Sequence, residues 1–167
     1  MAQSNHERVG RALELLNKGL RPFIEREMQA VYGDKWLQEA AANLRDYQLT
    51  SARSSALSGD TQVLLMVMWD QWNTVFKNVL GHAERSLVSE LREARNKWAH
   101  QEAFSTDDAY RTLDSVQRLL SAVSAAAQAS EVERQKQELL RLRFDEQARN
   151  ETRKVAVAPI EGKPSTG

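Results

Sequence analysis

AERSLVSELREARNKWAHQEAFSTDDAYRTLDSV, Ala83 to Val116, decides the fold of this chain. Leu87, Leu91 and Ala94 recur at helical spacing and predict a helix from about His82 to Trp98. Gln101 to Phe104 is a short connection. Ser105-Thr106-Asp107-Asp108 then has the form of an N-cap followed by early acidic residues. The helix it opens carries Ala109, Leu113, Val116, Leu119, Leu120 and Val123, and fades in the Ala/Ser-rich stretch ending at Ser130.

Upstream, Asp60 or Thr61 caps a helix whose broad apolar face runs through Leu64, Leu65, Met68, Trp72, Phe76, Val79 and Leu80. Gly81 marks a break. Tyr47 to Gly59, rich in Ser, Thr, Ala and Gly, reads as a loop. Before it lies a short helix from Lys35 to about Asp46, with Gly33-Asp34 as a stop and a new start. The first helix opens at Ser4 or Asn5 and carries Val9, Leu13, Leu16 and Leu20. Pro22 interrupts it, either as a kink or as the first turn of a renewed helix running to about Tyr32.

Downstream, Glu131 to Lys154 is highly charged, with a narrow stripe of Val132, Leu139, Leu140, Leu142 and Phe144. Such a helix docks lightly or pairs with another chain. Val155 to Gly167 reads as a flexible linker leading to a downstream domain. The expected organisation is an all-α, up-down bundle of about four main helices over residues 1–130, an extra charged helix at 131–154, and the linker at 155–167.

Lys+Arg and Asp+Glu number 23 each, so the formal net charge is zero. A protein that binds nucleic acid through bulk charge is basic, so RNA contact here must come from a few placed residues. The chain has no cysteine, which excludes disulfides, thiolate catalysis and Cys-based zinc sites and fits a reducing cytoplasm. Its three histidines are widely separated, and no metal site is expected. The glycines stand singly, so no phosphate-cradling loop is present. The N-terminus is polar, unlike a signal peptide, and the apolar run from Val63 to Trp69 is too short to span a membrane.

One cluster combines residue types suited to catalysis. Arg95 is a permanent planar cation that fits phosphate oxygens, and His100 exchanges protons near neutral pH. Asn96 can hydrogen-bond a phosphate. In a regular helix, residues five apart are separated by ~140° around the axis. Arg95 and His100 therefore meet only if His100 lies at or past the helix end, or if each projects to a site shared with a second chain. The plain alternative is a helix terminus, where basic side chains are favoured by the dipole. Trp98 beside the cluster either covers the site or packs at a core or interface. Trp69, Trp72, Phe76 and Met68 are spaced as core rather than as a base-stacking platform.

Arg95-Asn96-x-x-x-His100 resembles the R-x4–6-H motif of the HEPN superfamily, in which a polar residue often follows the arginine. With "RVGRALELLNKGLRPFIEREM" and "MWDQWNTVF", the opening stretch is similar to the Swt-type HEPN subfamily, named after a nuclear RNA endonuclease, over roughly Ser4 to Val123. The resemblance implies a metal-independent endoribonuclease that needs no cofactor and acts as a homodimer. It casts His100 as general acid or base, Arg95 as stabiliser of the transition-state charge, and Asn96 as a phosphate ligand. Glu90, earlier on the same helix, is a candidate to orient Arg95. Bacterial members of this type are often N-terminal modules of larger ATPase or helicase-like proteins, some linked to phage defence. Other members are non-catalytic dimerisation or binding modules.

Overall fold

The computed structural model describes residues 3–42 and 60–162, and no strand occurs among them. Helix α1 (Asn5–Tyr32) is the spine. Ser4 caps it, accepting from the Glu7 N–H at 3.1 Å, while the Glu7 carboxylate accepts from the Ser4 N–H at 2.9 Å. Pro22 lies inside α1 without ending it. The Lys18 carbonyl loses its helical donor there, but Lys18 and Pro22 are both exposed, so solvent can replace it. Leu16, Leu20, Ile24 and Met28 form the fully buried stripe of α1. Each contributes on the order of 1.5–3 kcal/mol of burial free energy.

A short 3-10 turn at Gly33–Lys35 leads into α2 (Trp36–Ala41). The expected loop at Tyr47 to Gly59, and the end of the expected short helix, lie outside the described residues. Helix α3 (Thr61–Asp70) starts at Asp60, whose Oδ1 accepts from the Gln62 N–H at 2.9 Å.

The single helix expected from Thr61 to Leu80 is broken. Leu64, Leu65, Met68, Trp72 and Phe76 of its apolar face are core, while Val79 is exposed and Leu80 half-buried; α3 ends at Asp70 and Gln71 becomes its C-cap. Gln71 is buried, and a buried amide needs partners. The Tyr32 hydroxyl donates to its Oε1 at 2.6 Å, and its Nε2 donates to the Glu39 carbonyl at 3.2 Å. Meeting that requirement turns the chain at the α1–α2 corner. Beyond the turn Trp72, Val75 and Phe76 are buried, with Phe76 5.9 Å from the Phe23 ring.

Three further helices complete the fold: α4 (His82–Ala99), α5 (Thr106–Ala122) and α6 (Ala126–Gly162). Contacts between them fix their directions. Asp60 at the start of α3 meets Arg95 near the end of α4, and Lys97 late in α4 meets Asp108 early in α5. Asp107 early in α5 meets Arg143 on α6, while Asp114 meets Lys136. Neighbours in sequence therefore run antiparallel, the up-down arrangement expected.

The C-terminal region departs from expectation. Helix α6 begins at Ala126, ahead of the expected domain limit near residue 130. Its first half is a full member of the bundle, since Ala129, Val132, Gln135 and Leu139 are buried. The small residues at its start allow close approach, with Ala125 and Gln128 facing Gly19 of α1. Beyond Leu139 the described side chains are exposed or half-buried, including Phe144 at 69%. The stretch expected as linker from Val155 is helical to Gly162, and residues 163–167 lie outside the described residues.

Candidate active site

Helix α4 ends at the cluster picked out in the sequence. His100 is its C-cap at φ −88° and ψ 11°, and Gln101 follows in the left-handed region at φ 59°. The Glu102 N–H donates to the Lys97 carbonyl and the Gln101 N–H to the Trp98 carbonyl, both at 3.1 Å. That pair of bonds is a Schellman closure. His100 thus stands past the last helical residue, where the ~140° separation of a regular helix no longer governs it. Its imidazole is exposed and has no hydrogen-bond partner among the described residues.

Arg95 is half-buried, with 22% side-chain exposure, and its Nη2 donates to Asp60 Oδ2 at 2.5 Å. The other oxygen of Asp60 caps α3. One carboxylate is therefore fixed by a helix N-terminus and in turn fixes the arginine through a charge-assisted bond. A guanidinium has five N–H donors, so this contact leaves capacity for an anion. Asn96, the next residue, is exposed.

The orienting role considered for Glu90 is taken by Asp60. Glu90 faces α5, where Arg111 donates to it at 2.7 Å and the Ser115 hydroxyl donates to its second oxygen. It braces α4 against α5.

Trp98 is an anchor. Its Nε1 donates to the His6 carbonyl at 3.1 Å, and the His6 Nε2 donates to the Trp98 carbonyl at 3.0 Å. A carbonyl only accepts, so this contact puts the His6 proton on Nε2. The two rings stack at 5.2 Å with an 11° tilt. Gly10 leaves room for the indole, because a Cβ there would lie 2.9 Å from Trp98 Nε1. Asn5 Nδ2 donates to the Phe104 carbonyl at 3.0 Å. The connection carrying His100 is thus clasped by the first turn of α1. Lys97 adds a bond to Asp108 at 3.3 Å and lies 4.8 Å over the Phe104 ring. Hydrogen bonds from Lys97, and then from Ser105, hold the Asp108 carboxyl below the usual carboxylate range.

Two of these residues had other readings in the sequence. Asp60 reads there only as a cap candidate, and His6 only as one of three widely separated histidines. The counter-ion of the half-buried Arg95 lies 35 residues away, and no periodicity points to it. Among the described residues no three His, Asp or Glu side chains could together hold a metal ion, and no helix is long and apolar enough to cross a membrane.

An up-down helical bundle with an Arg-Asn pair near the end of one helix and a histidine at its cap is the arrangement that the sequence resemblance to HEPN domains leads one to expect. The family model described as Swt1-like HEPN matches residues 11–124, more than half of the chain, and the chain belongs to that family. No curated protein and no solved structure gives a significant match. The matched region ends at residue 124, and the long C-terminal helix α6, which begins at Ala126, lies outside it.

Proposed function

We propose that this domain is a metal-independent endoribonuclease. The carrying observation is Arg95, aimed by Asp60, on the turn of α4 that ends at the exposed His100, within an HEPN bundle. His100 takes the proton of a ribose 2′-hydroxyl as the 2′-oxygen attacks the adjacent phosphorus. The 2′-O–P bond forms and the P–O5′ bond breaks, leaving a 2′,3′-cyclic phosphate and a free 5′-hydroxyl. Arg95 offsets the charge that builds on the non-bridging oxygens, and Asn96 holds the phosphate. The departing 5′-oxygen needs a proton, which a second copy of the site supplies across a two-fold axis; the active form is therefore a homodimer.

Purified protein incubated in EDTA with a panel of RNAs should release products ending in 2′,3′-cyclic phosphate. His100→Ala should slow this by about 10²–10⁴-fold, the usual worth of a general acid or base. Arg95→Ala should also lose activity. Absence of any cleavage by wild type, or equal cleavage by both variants, would falsify the reading.

A second reading is favoured by the pairing itself, since Asp60 already neutralises Arg95. In it the domain binds RNA or a protein partner, or dimerises, without cutting. It predicts wild-type RNA binding or self-association with no product at any enzyme concentration.

A further inference from the structure

The seam between α3 and α4 carries more positive charge than the catalytic reading uses. Arg85, Arg92 and Arg95 all reach from α4 toward α3. Arg95 is paired with Asp60. Arg85 and Arg92 both lie on Trp69 of α3, with their Cζ atoms 4.7 and 5.9 Å from the ring centroid. Trp69 is half-buried, unlike the buried Met68, Trp72 and Phe76 around it. Among the described residues neither Arg85 nor Arg92 has a carboxylate within ion-pair distance, and the Arg85 Nε is buried without a hydrogen-bond partner. Asp70 interacts with Arg92 electrostatically from beyond that distance, and burial pushes its carboxyl above the ordinary value.

These two cations are unusual for this molecule. The chain has no net charge, so they are not part of a general basic coat. Lys18, Arg149 and Arg153 also have no ion-pair partner among the described residues, but they are exposed and solvated. Arg85 and Arg92 are half-buried. Cation–π attraction to one indole, worth about 0.5–2 kcal/mol per contact, offsets part of their lost hydration but leaves N–H donors unused. From the helical rise, Arg85 stands ~10.5 Å from Arg92 and ~15 Å from Arg95 along the axis. That spacing suits a polyanion with repeating charges better than a single small anion.

The geometry points to a path for single-stranded RNA along the α3–α4 seam, from Arg95 past Arg92 to Arg85, with phosphates on the N–H edges of the arginines and a base stacked on the guanidinium planes that lie over Trp69. Unpaired bases stack on aromatic rings and guanidinium planes, whereas paired bases keep their faces covered, so the seam selects single strands. This inference deepens the ribonuclease reading and rests on it for the choice of RNA as ligand.

The test separates the two. Fluorescence anisotropy with an uncleavable 2′-O-methyl oligonucleotide measures the seam alone, and cleavage of the unmodified oligonucleotide is followed in parallel. The expected result is about tenfold weaker binding by the Arg85→Gln/Arg92→Gln protein, with the salt slope lower by about 1.4, or about 0.7 for each lost phosphate contact on a single strand. Arg149→Gln/Arg153→Gln, which removes the same charge from the exposed part of α6, should bind like wild type. Thermal melts and sizing chromatography confirm that the variants are folded and unchanged in assembly, and Arg85→Lys/Arg92→Lys should restore most of the salt slope.

Wild-type binding that is absent, that is equal in the seam variant, or that falls equally in the α6 control overturns the seam. So does a seam variant whose defect is in self-association, which would make this face a protein interface. Tight binding with no cleavage by wild type leaves the seam standing and removes the nuclease. Normal cleavage with unaltered binding in the seam variant does the reverse.

Discussion

The α4–α5 and α5–α6 corners share one backbone design and differ in what holds them. Each helix ends in a Schellman closure with a non-glycine residue in the left-handed region, Gln101 at φ 59° and Ser124 at φ 63°. The Ala125 N–H donates to the Leu120 carbonyl at 2.9 Å, matching the Glu102 to Lys97 bond. At the second corner Leu120 and Val123 are buried, and the turn packs on Gly19. At the first, His100, Gln101 and Glu102 are all exposed, and the turn is held from one side by His6 and Asn5. Apolar packing closes a corner by excluding water from its inner face. A polar clasp closes one while leaving neighbouring side chains in solvent, where a proton-transfer group must be.

The comparison breaks most easily at the packed corner. A Cβ on Gly19 would stand 2.3 Å from Leu120 Cδ2 and 2.9 Å from Ala125 Cβ. Leu120 is fully buried and the Ala125 Cβ is fixed by its backbone, so neither can yield cheaply. Gly19→Ala should cost about 2–3 kcal/mol, at the upper end of overpacking. Urea denaturation measures it, and a loss below about 0.5 kcal/mol, the range of an ordinary surface change, would show that the corner is loose. The equivalent change at the clasp is Gly10→Ala, which meets only the half-buried Trp98 indole at 2.9 Å. The indole can shift outward, so about 1 kcal/mol is expected. Because Trp98 anchors the connection to His100, RNA cleavage should fall further than the small unfolded fraction explains. Gly19→Ala should leave the specific activity of folded protein unchanged.

These contrasts also show which parts of the molecule were legible in the sequence. Helical spacing in α1, α4 and α5 is a local property and predicts those elements, with the N-caps of α1 and α5 at Ser4 or Asn5 and at Ser105. The break at Gln71 was not legible, because it depends on a buried amide finding Tyr32 and Glu39, residues distant in sequence. The full docking of α6 was missed for a related reason. Small residues such as Ala129 carry little hydropathy signal, yet they let helices approach closely. At the site, Arg95, Asn96 and His100 stood out by chemistry and motif, but the geometry that takes His100 past the helix end is set by Gln101, a residue without turn propensity. Asp60 is legible only as a cap and His6 only as one of three scattered histidines, since what they do depends on contacts across the fold.

Acid should weaken the ion pairs that tie α5 to its two neighbours to different extents. Away from the packed corner, where the middle of α5 lies along α6, partial burial raises the Asp114 carboxyl, but hydrogen bonds from Lys136 and Arg118 outweigh it and hold the value below the ordinary 3.8. A depressed carboxyl contributes stability that is present above its unfolded value and lost as pH falls through the folded one. The α5–α6 tie should therefore be intact at neutral pH and lost below about pH 3.8. Asp114→Asn should melt lower than wild type at neutral pH, with the gap narrowing at about pH 3. An equal gap at both would show that the carboxylate charge is not what Lys136 reads. Asp108 at the exposed corner has the same sign but is solvated, so its share is smaller.

The smallest effect comes from the left-handed residues themselves. A side chain in that conformation costs about 1–2 kcal/mol, which glycine avoids. Glycine also widens the unfolded ensemble, which costs about 0.4–1 kcal/mol. Gln101→Gly and Ser124→Gly should each be more stable by a few tenths of a kcal/mol to about 1 kcal/mol, read as a small rise in Tm. Their functional consequences should differ. At Ser124 the buried Val123 and the half-buried Ala125, packed on Gly19, fix the turn whatever residue occupies it, so RNA cleavage should match wild type. At Gln101 the turn borders solvent, and the stiffness of the residue after His100 helps fix where the imidazole points. Gln101→Gly should therefore gain stability and lose some kcat with little change in KM. If both variants cut RNA equally well, the clasp from α1 alone holds His100, and the left-handed residue serves only to end the helix.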